Sequence, residues 1–207
     1  MIKAILYDLD GVLVNACEWH YESLNRALKD ICGITISRED HEKLYNGLPT
    51  KSKLSLMVER GLVNADLVED IWKAKQLHTE KTIDDLAVID SDKIEIHKLT
   101  RMMGIDSVCV TNSIRKTANL MLKNTGQINF LSSVISNEDV VSPKPNPEGY
   151  IKAMRLLNVS PDEVIIVEDS DVGYSAAQAA GGNIIRVKNP DDVTIENICR
   201  GIIKYSE

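Results

Sequence analysis

Aromatic residues are scarce in this sequence, at 4% with a single Phe in 207 residues, so any core must be largely aliphatic. Cysteine is sparse and scattered, at positions 17, 32, 109 and 199. No Cys-x-x-Cys pair occurs, which excludes zinc-ribbon spacing and the disulfide density of a small secreted scaffold. The four are read as reduced, mostly packing residues. No apolar run approaches the roughly 20 residues that cross a bilayer. The N-terminus, with Lys3, Asp8 and Asp10, offers no long apolar signal segment. A strong basic patch is also missing. The net charge is −7, and the clearest basic cluster, Lys51/Lys53, is read as ordinary solvated surface. That balance excludes a general nucleic-acid or membrane binder, because both need cations to meet phosphates. Neither an internal repeat nor a low-complexity tract is present. The expectation is a cytoplasmic protein with no nucleic-acid or membrane partner, a monomer or weak dimer.

What is present is a chain 43% hydrophobic, enough for one core and a modest insertion. Short β-branched apolar runs at 3–8, 107–111, 132–136, 164–168 and 183–187 read as strands. Helical segments at 113–124, 147–157 and 172–180 separate them. Such alternation predicts an α/β fold, a doubly wound parallel sheet with helices on both faces. Asn146-Pro147-Glu148 supplies a helix start, Ser160-Pro161-Asp162-Glu163 repeats it, and Gly181 and Gly182 supply a stop. Between the first two strands, segments 16–31, 37–46, 50–60 and 64–87 read as helical, with Pro49 and Gly61 as punctuation. The domain expectation is an α/β core from 1–14 and 90–207, with a small all-helical domain, 15–89, inserted after the first strand. Trp19, Trp72, Met102 and Met103, at helical spacing, are expected in the core. His41, His78 and His97 lie in polar helical stretches and are expected in solvent.

In a parallel sheet, ligands bind beyond the C-terminal strand ends. The first strand ends in Asp8-Leu9-Asp10-Gly11. Two carboxylates two residues apart on extended backbone face one space, which is unfavourable without a cation or shared proton. Mg²⁺ takes one or two carboxylates with phosphate and water, whereas a calcium loop would need oxygen ligands where Val12, Leu13 and Val14 stand. The second strand leads to Thr111-Asn112-Ser113, groups suited to a phosphate at a helix N-terminus or simply to N-capping. After the third strand, Lys144 sits between Pro143 and Pro145, in a loop with little freedom. The fourth strand ends in Glu168-Asp169-Ser170. Each motif alone has a bland reading: a solvated turn, a cap, a rigid surface loop. Together they place two acid pairs, a hydroxyl and amide pair and a fixed ammonium on one sheet edge. That is a Mg²⁺ site facing a phosphate site, with one aspartate as nucleophile and another moving a proton.

In this order, Asp8-Leu9-Asp10-Gly11, Thr111-Asn112, Lys144 and Glu168-Asp169 resemble the four signature motifs of the haloacid dehalogenase-like phosphatases. The stretches "VSPKPNPEGY" and "VEDSDVG" are most similar to the β-phosphoglucomutase and phosphoglycolate phosphatase-like branch, and the helical insert resembles that superfamily's cap. The resemblance implies Asp8 as nucleophile forming an aspartyl-phosphate, and Asp10 as general acid/base with its main-chain carbonyl on Mg²⁺. It implies Thr111, Asn112 and Lys144 at the phosphoryl group. Asp8, Asp10, Glu168 and Asp169 are the implied metal set. Gly11, His20 and Lys51 join as phosphate- or substrate-binding candidates. One departure bears on activity. The mutase branch carries an arginine after Gly-x-x, whereas this chain reads Gly47-Leu48-Pro49-Thr50-Lys51, and lysine lacks the bidentate fork. The expected function is hydrolysis of a small phosphomonoester, such as a sugar phosphate, a phosphoglycolate-like compound or a nucleotide. A sugar-phosphate mutase is the alternative. A phospho-acceptor signalling module would need its acceptor aspartate after the third strand, where Asn137-Glu138-Asp139 and Lys144 follow instead. A silent binding protein would not need every motif filled.

Overall fold

A computed structural model describes residues 1–206 and separates into two compact units. One comprises residues 1–15 with those from Val88 onward, and the other is Ala16–Ala87. In the first unit, β1 (Ala4–Tyr7), β2 (Asp106–Val110), β3 (Ser133–Ile135), β4 (Val164–Glu168) and β5 (Asn183–Arg186) form one sheet in the order β3-β2-β1-β4-β5. All four pairings are parallel. The central strand β1 is buried at every residue, which is why it reads as a continuous apolar run rather than an alternation. Each buried Ile or Leu contributes roughly 1.5–3 kcal/mol of apolar transfer.

Register fixes the functional edge. Tyr7 stands opposite Cys109 on β2 and Val167 on β4. The next residues, Asp8, Val110 and Glu168, therefore share one level, with Thr111 just beyond.

Five helices flank this sheet: α5 (Ser91–Met102), α6 (Arg115–Asn124), α7 (Glu148–Leu157), α8 (Asp171–Ala180) and α9 (Ile195–Ser206). On one face Tyr150, Ala153 and Met154 of α7 and Ala176, Ala177 and Ala180 of α8 pack with Ala4, Leu6, Val108, Val110 and Ile166. On the other, α9 presses Gly201 against Ile165 and Ile185, and His97 of α5 meets the Tyr7 ring edge-on at 5.4 Å. Helix α7 begins as its sequence demands, the Asn146 side chain accepting from the Glu148 N–H at 3.0 Å.

The helical unit contains α1 (Cys17–Cys32), α2 (Arg38–Asp40), α3 (Thr50–Glu59) and α4 (Val68–Leu86). Leu24, Ala27, Leu28, Ile36, Tyr45, Leu54, Met57 and Ile71 form its core. Asn25 clamps the chain after α1, exchanging hydrogen bonds with both backbone groups of Ile36 at 3.1 and 2.7 Å.

Several expectations change. The stretch 37–46 is a short α2 running into a π-turn, His41–Tyr45, rather than one helix. Helices α5 and α9 were not legible; in α5 the buried positions carry Lys93, His97 and Thr100, which hide the apolar stripe. Met102 is 85% exposed and Met103 half exposed, because α5 ends just where they begin. His41 and His97 are buried rather than solvated, and His78 is half-buried beside Asp30 at 2.9 Å. Lys53 is buried, not surface. Cys109 is buried, and Cys17, Cys32 and Cys199 are half-buried. No helix among the described residues is long and apolar enough to cross a membrane.

Candidate active site

Asp8 leaves β1 with its N–H bonded to the Val167 carbonyl at 3.0 Å, so the last β1–β4 ladder bond fixes its backbone. Its carboxylate lies 2.9 Å from Lys144 Nζ. The same ammonium lies 2.6 Å from Glu168 Oε1, which also accepts from the Tyr150 hydroxyl. All four side chains are buried. Lys144 is held through its backbone as well. Its N–H donates to Asn112 Oδ1 at 3.0 Å, and Asn112 Nδ2 donates to its carbonyl at 3.1 Å. Asn112 therefore joins the β2 end to the lysine loop.

Charge in this cluster is unbalanced toward the acids. Burial pushes the Asp8 carboxyl well above the ordinary carboxylate range, and the nearby Glu168 charge adds to that. Asp169 is pushed up to about 7, by burial first and then by Glu168. Burial lowers the Lys144 pKa, but Asp8 and Glu168 outweigh it and the net shift is upward, so Lys144 stays an ammonium. One cation thus serves several carboxylates.

Those carboxylates meet the chemical requirement for a hard cation. Asp8, Glu168 and Asp169 each offer an oxygen, and these oxygens all lie within 4.8 Å of one another. Glu168 Oε2 and Asp169 Oδ1 are buried without a hydrogen-bond partner among the described residues. A buried orphan carboxylate oxygen is costly unless a cation meets it. An oxygen-preferring divalent ion fits this donor set.

Asp10 stands apart from that group. Its Oδ2 accepts from the Ser113 hydroxyl at 2.9 Å, which holds the carboxylate at the β2 end. Thr111 Oγ1 accepts from the Ser113 N–H at 2.9 Å and keeps its own proton for donation. Gly11 has φ +87°, and a Cβ there would collide with the Asp169 carboxylate. A glycine is needed at that position for both reasons.

The chain's relationships agree with this arrangement. Residues 5–187 match the family model described as haloacid dehalogenase-like hydrolase. The chain belongs to the haloacid dehalogenase-like hydrolase family. Among relatives of this hydrolase, a phosphorylated carbohydrates phosphatase of Thermotoga maritima is 24% identical over 180 residues, covering 87% of this chain and 82% of the relative. The pyrophosphatase PpaX of Anoxybacillus flavithermus is 28% identical over 180 residues, covering 87% and 80%. In fold, the hydrolase is similar to a β-phosphoglucomutase from Clostridium difficile, with a TM-score of 0.85 at 20% identity, covering 100% and 99% of the two chains.

Of the residues marked in the sequence, the hydrolase brings Asp8, Lys144, Glu168 and Asp169 together directly. Asp10, Gly11, Thr111 and Asn112 adjoin them through the contacts above. His20 and Lys51 belong to the helical unit. There His20 Nδ1 lies 3.1 Å from Lys75 Nζ, and the Lys51 ammonium sits 5.1 Å from the Trp72 ring centroid. Two participants escaped the sequence reading. Tyr150 was hidden inside an ordinary apolar helix pattern, although it stands six residues after Lys144 in the first turn of α7. Gly173 lies against the Glu168 carboxylate so closely that any side chain would collide with it. Its signal was a glycine in the first turn of a helix, where Ala is the better former.

Proposed function

We propose that this hydrolase is a Mg²⁺-dependent phosphatase acting on a small phosphomonoester through an aspartyl-phosphate on Asp8. The observation that carries the reading is the Asp8 carboxylate held 2.9 Å from a buried ammonium, with Asp10 anchored on the same loop by Ser113. Asp8 would attack phosphorus while Asp10 gives its proton to the departing alcohol oxygen. Asp10 would then take a proton from the water that attacks the aspartyl-phosphate, releasing inorganic phosphate and restoring Asp8. Lys144 neutralises the nucleophile and a phosphoryl oxygen, and the Thr111 hydroxyl donates to another. Asn112, engaged at both ends of its amide with the lysine backbone, supports Lys144 more than the phosphoryl group. Asp8, Glu168 and Asp169 would hold Mg²⁺, which would supply positive charge against the transferred group. The phosphatase names of the curated relatives support hydrolysis over mutation, as does the missing arginine near Lys51. The free thiols of Cys32, Cys109 and Cys199 fit a reducing, cytoplasmic setting.

The test is phosphate release from a panel of small phosphomonoesters, with and without Mg²⁺. Turnover should require the metal, and Asp8→Asn should lower it by about 10³-fold or more. Asp8→Asn as active as wild type would overturn the reading.

A further inference from the structure

We infer that Tyr150 is a positioning residue that orients Glu168 for the metal, an inference that rests on the function proposed above. Tyr150 is fully buried on the first turn of α7, and its hydroxyl donates to Glu168 Oε1. Lys144 Nζ donates to that same oxygen at 2.6 Å. Lys144 also stands 4.8 Å from the Tyr150 ring centroid, so one side chain touches both members of the ion pair, with its hydroxyl on the acid and its ring face near the cation. Gly173 lies next to the carboxylate, in a place where any Cβ would collide with it. Two donors therefore act on Oε1 and Oε2 is left buried without a partner among the described residues, while Glu168 stands in one carboxylate group with Asp8 and Asp169.

The consequence is directional. A carboxylate free to spin offers a cation either oxygen in many poses. One pinned at Oε1 offers a single oxygen in a single pose, which suits the strict octahedral demand of Mg²⁺. Lys144 alone does not secure this, because its ammonium is shared with Asp8 at 2.9 Å. When Asp8 reacts, that attraction changes, and the tyrosine hydroxyl keeps Glu168 in place through the step.

A purely structural role for Tyr150 is the competing account, since its ring packs among Val110, Ile135 and Met154. Tyr150→Phe separates the two by keeping the ring and removing only the hydroxyl. Metal-free wild type and variant are titrated with MgCl₂ in a calorimeter, melted without metal, and assayed over a Mg²⁺ series. The expected result is a Mg²⁺ Kd at least about 10-fold weaker in Tyr150→Phe. The Mg²⁺ concentration for half-maximal activity should shift by the same factor, with little change in metal-free Tm. A Kd within twofold of wild type overturns the inference, whether or not Tm falls. Wild type that neither binds Mg²⁺ nor needs it for turnover overturns the proposed function, and the Tyr150 role with it. Wild type that does both, beside an unaltered Tyr150→Phe, removes only the Tyr150 role.

Discussion

Lys144 and Lys75 are almost equally buried, at 6% and 5% exposure, yet they occupy opposite kinds of place. Lys144 stands in a proline-bracketed loop at the edge of the parallel sheet, facing the Asp8 and Glu168 carboxylates. Lys75 stands in the middle of α4 in the helical unit, facing the imidazole of His20. Strand ends concentrate charge where the register dictates, and the chain's punctuation marks the spot. A helix can turn a polar side chain inward at any position, and nothing in its own sequence announces it. The same contrast separates Glu168, at a strand end, from His41 and Lys53, which are buried in the helical unit although their segments look solvated.

The sharpest way to break this contrast is to remove each lysine. Lys144→Met leaves two buried carboxylates without their cation and should cost about 3–5 kcal/mol in urea denaturation of the metal-free protein. Lys75→Met removes a hydrogen bond to an imidazole, and that bond should be worth about 1 kcal/mol. Equal losses would mean that the sheet edge is no more charge-dependent than the helical unit.

A smaller effect comes from acid. Burial lowers His97 from 6.5 to about 4, against a raising hydrogen bond that its ring donates to Gln127 Oε1. The folded state therefore keeps it neutral while the unfolded chain takes a proton. Stability is complete above the unfolded value near 6.5 and is lost as pH falls toward 4, by up to about 3 kcal/mol. His41, lowered to about 3 by burial and the Lys53 charge, should add to the acid limb in the same direction. Denaturation between pH 7 and 4 should show a shallower slope in His97→Gln, and separately in His41→Gln. An unchanged slope in both would place the acid sensitivity elsewhere.

Metal should act in the other direction. Asp169, raised to about 7, holds its proton in the metal-free hydrolase only below that pH. An acid whose folded pKa is raised costs the folded state stability as pH rises from 3.8 through about 7. Bound Mg²⁺ replaces that proton. At one fixed Mg²⁺ concentration, set to 100 times the Kd at pH 8, it should add about 2.7 kcal/mol at that pH, measured as a gain in Tm. The gain should be larger at pH 8 than at pH 5.5, and a gain independent of pH would remove Asp169 from the metal set. The smallest effect is expected for Lys51→Ala. Losing its exposed contact with Trp72 should cost about 0.5–1 kcal/mol of stability with kcat unchanged. A rise in substrate KM would show that Lys51 also meets substrate.

The legible part of the site was its strand ends. Asp8, Asp10, Glu168 and Asp169 follow apolar runs that can only be buried strands, and Lys144 is marked by the prolines around it. Tyr150 was not legible because a tyrosine on an apolar helix face reads as core, and it is core except for one oxygen. Asn112 was legible as a site residue, but its bond to the Lys144 backbone depends on two loops meeting across the sheet edge.

By itself, the sequence determined the α/β alternation, the helical insertion and the four motifs, because continuous apolar runs, helical periodicity and turn residues act locally. Tertiary structure alone decided the rest. It set the strand order that brings residues 8, 112, 144 and 168 together, the inward turn of His97 and Lys75, and the pairing of Tyr150 with Glu168. These are contacts between residues distant in sequence, and which partner a buried polar group finds is settled only when the packed elements bring donors and acceptors within reach.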